Sequence, residues 1–261
     1  MMHFGKIAII GAGNVSYTLC NVLKNKGISS FCVFVRNEIE AEKMRQKLSV
    51  NVVSDYENIL KSDFLIIAVN DDSISEVASH LVDYKGLAVH TSGTKSSELL
   101  NRIERHGVVY PLQTMSKERE ISFDEVPLLI HANSKDDLAK LREFAEILSS
   151  LVFECDDEQR KTLHLAAVFV SNFTNVMLDI ADKLLKNNNV PLSIMQPLVK
   201  EMIDKSFEIS PEKALTGPAR RGDRATIEAH EEMLAKYPKE QEIYKILTNY
   251  ILEKYHKNEK L

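Results

Sequence analysis

The first 155 residues alternate short apolar, β-rich runs with stretches of helical spacing. The runs predict strands at 6–10, 31–35, 51–53, 64–69, 87–90, 107–109, 128–130 and 152–155. Between them, helical patterns cover 15–26, 38–48, 59–61, 73–81, 96–104 and 136–151. This rhythm predicts a doubly wound, mostly parallel α/β sheet covered by helices on both faces. From Asp156 on, no strand pattern recurs. Residues 157–186 contain neither Gly nor Pro and read as one long helix, stopped by the NNNVP at 187–191. Further helices are expected at 192–208, 224–236 and 239–254, with Pro197 starting or kinking the first of them. The expected organisation is therefore an α/β domain over 1–155 and an all-helical domain over 156–261.

Composition narrows this picture modestly. The chain has 261 residues, 44% hydrophobic and 27% charged, with a formal net charge of −5. A general nucleic-acid binder would be basic overall, so nucleic acid is not an expected partner. The three cysteines are far apart, without zinc-type spacing, and read as reduced thiols in a cytoplasmic protein. The N-terminal MMHFGKIAIIGAG reads as a strand rather than a signal peptide. The apolar run 163–170, interrupted by His164, is too short to span a membrane.

The first strand leads into IIGAGNVS at 9–16. Gly11 permits a tight turn, and Gly13 lets backbone approach a pyrophosphate. A helix starting near Asn14 offers free N–H groups to that anion. Ser16 takes the third glycine position of G-x-G-x-x-G, which predicts slightly looser strand–helix packing. At the end of the second strand, Arg36 and Asn37 stand where an NAD enzyme carries an acid for the ribose hydroxyls. A cation there suits a 2′-phosphate and hence NADP over NAD, with Glu38 as the acid that keeps NAD in play. After the fourth strand, Val69 and Asn70 are placed to line the cofactor, and Asp72 is read as a helix cap.

The next strand ends in HTSG. His90, Thr91, Ser92 and Gly93 bring an imidazole, two hydroxyls and a glycine to the cleft edge. His90 is either a proton carrier or a buried ring bonded to backbone. Tyr110, Pro111, Gln113 and Thr114 follow another strand. In the long helix, His164, Asn172 and Asn175 fall near one face, with a ligand favoured for the first two and packing for Asn175. A loop at 217–223 presents Arg220 and Arg221, which suit an anionic substrate, with Asp223 or Thr226 capping the next helix.

The order IIGAGNV, DFLIIAVNDD, HTSG, YPLQT, HLAAVFVSNF and TGPARRGD resembles a bacterial family that joins a Rossmann-like domain to a C-terminal helical domain of unknown function. The resemblance covers essentially the whole chain. That family is similar in plan to pyrroline-5-carboxylate reductase, deazaflavin-dependent NADP oxidoreductases and the 6-phosphogluconate dehydrogenase superfamily. The resemblance implies Gly11, Gly13, Asn14 and Val15 at the pyrophosphate, Arg36 at the 2′-phosphate, and Val69, Asn70 and 90–93 near the nicotinamide. His164, Asn172 and the 217–223 loop would face the substrate, and the helical domain would build a homodimer. Tyr110 stands where the family usually has histidine before PLQ.

The expectation is an NADP-dependent oxidoreductase moving hydride between nicotinamide and a carbonyl or imine carbon of a small, anionic substrate. His90 or His164 would exchange the proton, Ser92 and Asn172 would hold the reacting group, and Tyr110, Gln113, Arg220 and Arg221 would contact substrate. No metal and no membrane partner are expected. The alternatives are a non-catalytic NADP(H)-binding sensor or scaffold, and a methyltransferase using S-adenosylmethionine.

Overall fold

The computed structural model describes residues 5–256, so the reading of the first four residues lies outside the described residues. The chain divides into two compact units, at Asn172/Phe173.

The first unit is built on eight strands: β1 (Ile7–Ile10), β2 (Phe31–Phe34), β3 (Asn51–Val53), β4 (Phe64–Ile67), β5 (Leu87–His90), β6 (His106–Pro111), β7 (Leu128–Ala132) and β8 (Val152–Glu154). Their order is β3-β2-β1-β4-β5-β6-β7-β8. All neighbours pair in parallel except β6 and β7. Strands β1 and β4 are apolar at every position because both faces of the sheet are covered. Ile7, Ile9, Phe64 and Ile66 pack into one core, while Ala8, Ile10, Leu65 and Ile67 pack into the other. That division follows from the two-residue period of a strand.

The connecting helices are α1 (Asn14–Asn25), α2 (Glu38–Leu48), α3 (Tyr56–Leu60), α4 (Ile74–Ser79) and α5 (Lys135–Leu148). Asn37, Asp55 and Ser134 cap α2, α3 and α5 through their side chains. Helix α1 differs: its N-cap is Gly13, with no side chain to take up the free N–H groups.

Helix α6 (Asp157–Ala167) opens on a capping box between Asp156 and Gln159. It runs into a π-helical segment, Val168–Phe173, and then α7 (Thr174–Lys186). The long helix is thus continuous but not uniform. One extra residue is accommodated where six bulky or polar residues, VFVSNF, follow one another. The expected boundary at 155/156 marks the end of the sheet. The division of contacts falls later because α6 is tied to the β5 loop by Asp157, Arg160 and the Tyr110–His164 contact.

The second unit adds α8 (Gln196–Ile209), α9 (Pro211–Ala214), α10 (Pro218–Arg221), α11 (Arg224–Met233) and α12 (Pro238–His256). Pro197 sits in the first turn of α8, where its missing N–H costs nothing. The 217–223 stretch, expected as a loop, contains one helical turn. Gly217 and Gly222 flank it with φ of 106° and 70°. Asp223 caps α11 by accepting from Thr226 N–H. Residues 96–104 do not form the expected helix; only a 3-10 turn, Ser97–Leu100, appears there.

Candidate active site

Two features lie at the carboxyl edge of the first unit's sheet: an open glycine turn after β1 and a polar cluster after β5.

The turn follows β1. Gly11 has φ 127°, and a Cβ there would lie 2.2 Å from the Ala68 carbonyl oxygen, so only glycine fits. Gly13 is different, since a Cβ there would meet nothing within 4 Å. Neither packing nor strain requires this glycine. Its bare backbone leaves room for a group to approach the start of α1, where unpaired N–H groups favour an anion. Ser16 does not loosen the packing as expected. It is fully buried, and its Oγ donates to the Gly11 carbonyl at 2.7 Å, which braces the turn.

A cleft of about 370 Å³ opens beside the turn. Gly11, Gly13, Val35, Arg36, Val69 and Asn70 contribute to its walls. Asn14 is exposed at the first position of α1, and Val15 packs partly against the core. Asn37 also lines the cleft, but its side chain caps α2 through Glu40 N–H. Arg36 Nη1 donates to Glu76 Oε1 at 2.6 Å. Glu38 is turned to Arg45 at 2.7 Å. Asp72 is not a cap; it is exposed and pairs with Lys95 at 3.2 Å. The donor set and open backbone fit a dinucleotide, with the free N–H groups at the start of α1 suited to its pyrophosphate and Arg36 to an adenosine phosphate.

The polar cluster is built on the HTSG loop. His90 is fully buried, and its Nδ1 accepts from Ser92 N–H at 3.1 Å. Its Nε2 lies 3.2 Å from the Ser96 carbonyl, which can only accept. The ring is therefore neutral with its proton on Nε2. Burial, and then the Arg160 charge, push its pKa down to about 4. The buried, backbone-bonded alternative for His90 is the one the geometry shows, with both ring nitrogens engaged by backbone groups. Ser92 Oγ accepts from the N–H groups of Thr94 and Lys95 at 3.2 and 3.0 Å, shaping the loop. Thr91 is buried, with its N–H on the Ile67 carbonyl.

Arg160 holds this loop from the outside. It is fully buried, donating from Nε to the Ser92 carbonyl at 3.2 Å and from Nη2 to the Lys95 carbonyl and Asp157. Asp157 also accepts from Ser96 Oγ and Ser97 N–H. These contacts outweigh burial and hold its pKa down to about 2. Sequence reasoning missed both residues. The only signal is an Asp–Arg pair three apart in a first helical turn, which elsewhere is an ordinary exposed ion pair.

Tyr110 and His164 complete the cluster. Tyr110 Oη lies 2.9 Å from His164 Nδ1. Burial, and then Asp71's charge, raise the tyrosine pKa, so the phenol stays protonated and donates. With the phenol donating, Nδ1 is the acceptor of this bond, and Nε2 is the ring nitrogen it leaves unengaged. Gly93 makes the arrangement possible. A Cβ there would fall 2.7 Å from His164 Nδ1 and 2.8 Å from Tyr110 Cζ. Thr94 Oγ1 donates to Asp71 at 2.7 Å, tying this loop to the segment that follows Asn70. Asn172 is exposed within the π segment. An all-α helix would turn Asn172 roughly 80° away from His164; the slower π turn brings the two closer to one face.

Other expected residues are placed elsewhere. Gln113 turns its amide oxygen to Thr114 N–H and borders a separate depression with Met115 and Arg119. In the helical unit, Arg220 lies over the Tyr255 ring at 4.0 Å. Arg221 stays exposed, 3.7 Å from Asp223.

The comparisons with known proteins agree with this architecture. Residues 6–89 match the family described as "NADP oxidoreductase coenzyme F420-dependent". Residues 126–251 match the domain of unknown function DUF2520, a stretch that begins before β7 and includes α5 and β8. A crystal structure from Bacteroides fragilis, described as a "putative NADP oxidoreductase", is 38% identical with a TM-score of 0.87, covering 95% of this chain and 98% of that one. The Plasmodium falciparum pyrroline carboxylate reductase with NADP bound superposes with a TM-score of 0.65 at 12% identity, over 97% and 100% of the two chains, a likeness of fold. A curated relative, the Sulfolobus acidocaldarius glutamyl-tRNA reductase, is 33% identical over 73 residues, 28% of this chain and 18% of that protein. The chain thus matches less than a fifth of that relative's length. With both halves matched and a relative aligned over nearly its full length, this chain belongs to the family that joins an F420-dependent-type NADP oxidoreductase domain to DUF2520.

Proposed function

We propose that this protein is an NADP(H)-dependent oxidoreductase acting on a carbonyl or imine carbon of a small, anionic molecule. The observation that carries the reading is the Tyr110–His164 pair, set against Gly93 at the same sheet edge as an open glycine turn. Bound NADP(H) would supply or take the hydride. The chain's residues would do the rest. Gly13 and the start of α1 hold the pyrophosphate, Arg36 the adenosine phosphate, and Asn70 with Thr91–Gly93 the nicotinamide side. Tyr110 fixes the His164 ring, whose Nε2 exchanges the proton with the substrate oxygen or nitrogen. Ser92, with its hydroxyl proton still to give, and Asn172 orient the reacting group.

The same reading includes a homodimer. The helix spanning 157–186 is long and apolar enough to cross a membrane by length and composition alone, so the expectation drawn from the 163–170 run was too narrow. Its first turn is anchored through Arg160, and its exposed residues include Val170 at 75% and Leu165 at 59%. In the helical unit Phe207 is 91% exposed. Apolar surface on this scale calls for a partner, and we assign it to a second copy of the chain.

The test is a fluorescence titration with NADPH and NADH, followed by a screen of keto acids and cyclic imino acids for NADPH oxidation. Saturable binding of a nicotinamide dinucleotide with turnover of one class supports the reading. Binding without turnover would replace the enzyme with a nucleotide sensor, and no binding would overturn it.

A further inference from the structure

Arg36 and Glu76 face one another across the mouth of the nucleotide cleft. Arg36 follows β2 on one wall. Glu76 belongs to α4, whose Val77 lines the cleft beside Ser73. Their contact, 2.6 Å, is a charge-assisted hydrogen bond between groups that both remain more than half exposed.

The nearby acids are otherwise engaged. Glu40 lines the same cleft, but hydrogen bonds from Lys117 and Lys43 hold its pKa down to about 2. Glu38 is bound to Arg45. Glu76 is thus the carboxylate set on the cation that a 2′-phosphate would use.

We infer that Glu76 is a specificity-determining residue, a counter-ion for Arg36 that a 2′-phosphate must displace and a ribose 2′-hydroxyl need not. The inference rests on the cofactor reading above. A phosphate monoester carries nearly two negative charges. When it takes Arg36, it leaves Glu76 unpaired beside it, and like charges then repel. A dinucleotide without that phosphate leaves the pair intact, and its 2′-hydroxyl can donate to the Glu76 carboxylate. The acid that selects NAD at the end of β2 in many Rossmann domains is thus supplied here from α4. The chain would accept both cofactors with narrow discrimination, although Arg36 alone suggests a strong preference for NADP.

The experiment compares wild type, Glu76→Gln and Arg36→Gln by fluorescence titration with NADPH and with NADH. Both substitutions are on the surface, and circular dichroism checks folding. Glu76→Gln is expected to tighten NADPH by about threefold to tenfold, the scale of an exposed ion pair plus the relieved repulsion. NADH binding should be unchanged or weaker. Arg36→Gln should weaken NADPH by about tenfold and spare NADH. An NADPH-to-NADH affinity ratio in Glu76→Gln within about twofold of wild type, the effect of a negligible surface pair, would overturn the inference while leaving the function standing. Wild type that binds neither cofactor would overturn the function, and this inference with it.

Discussion

His90 and His164 carry the same imidazole on adjoining parts of one cluster, and their surroundings give them different chemistry. His90 is locked between Ser92 N–H and the Ser96 carbonyl. His164 is half-exposed and bonded at Nδ1 to a phenol. The depressed pKa of His90, about 4 against an ordinary 6.5, has a consequence for stability. Between those values the unfolded chain binds a proton that the native chain refuses. Stability contributed by the neutral ring is therefore complete above pH 6.5 and lost as pH falls towards 4, by about 3 kcal/mol in all. Thermal unfolding followed from pH 7 to pH 4 should show this slope. His90→Gln, which cannot titrate, should flatten it; an equal slope in the variant would mean that other groups carry the acid sensitivity.

At the scale of elements, the decisive contact joins the start of α6 to the loop after β5. Parallel strands end in loops at one edge of the sheet, and that edge becomes a site when something fixes the loops in place. Here the fixing is done by one buried guanidinium. Arg160 has three protein partners, two of them backbone carbonyls, and it has no exposed surface. Removing such a group leaves its acceptors buried and unpaired. Arg160→Met is expected to cost about 3 kcal/mol, seen as a fall in unfolding temperature of roughly 6–12 °C for a chain this size. Lys161→Met, one position along and exposed, should stay within about 0.5 kcal/mol. Similar losses from both variants would show that the Arg160 network adds nothing beyond helix packing.

At the scale of the whole molecule, the first unit buries its apolar residues in two cores, while the described helices after Asn172 leave many of theirs in the open. Ile194, Leu198, Met202, Phe207 and Tyr250 are all exposed. A permanent dimer typically buries about 2,000–5,000 Å² of largely apolar surface. Sedimentation equilibrium should find two copies per particle. Val170→Glu or Phe207→Glu should then yield monomers, because a carboxylate in an apolar interface lacks a partner. A monomeric wild type would remove the dimer and leave that surface to another partner.

Periodicity and composition by themselves determined all eight strands, the change to helices after Glu154 and the glycine turn, and narrowed the cap of α11 to Asp223 or Thr226. These are local properties: strand period, helix period, φ restrictions and the reach of a short side chain to nearby N–H groups. Tertiary structure alone decided which polar residues meet. Tyr110 and His164 are far apart in the chain, and Gly93 between them signals only a permissive backbone. Arg160 looks like any first-turn arginine until the Ser92 and Lys95 carbonyls close over it. His90 offered two roles that only its burial could separate. The π segment was invisible because it needs no special residue, only a helix that accommodates one extra position. Pairings of this kind arise from strand order and crossover, and so lie beyond any pattern read along the chain.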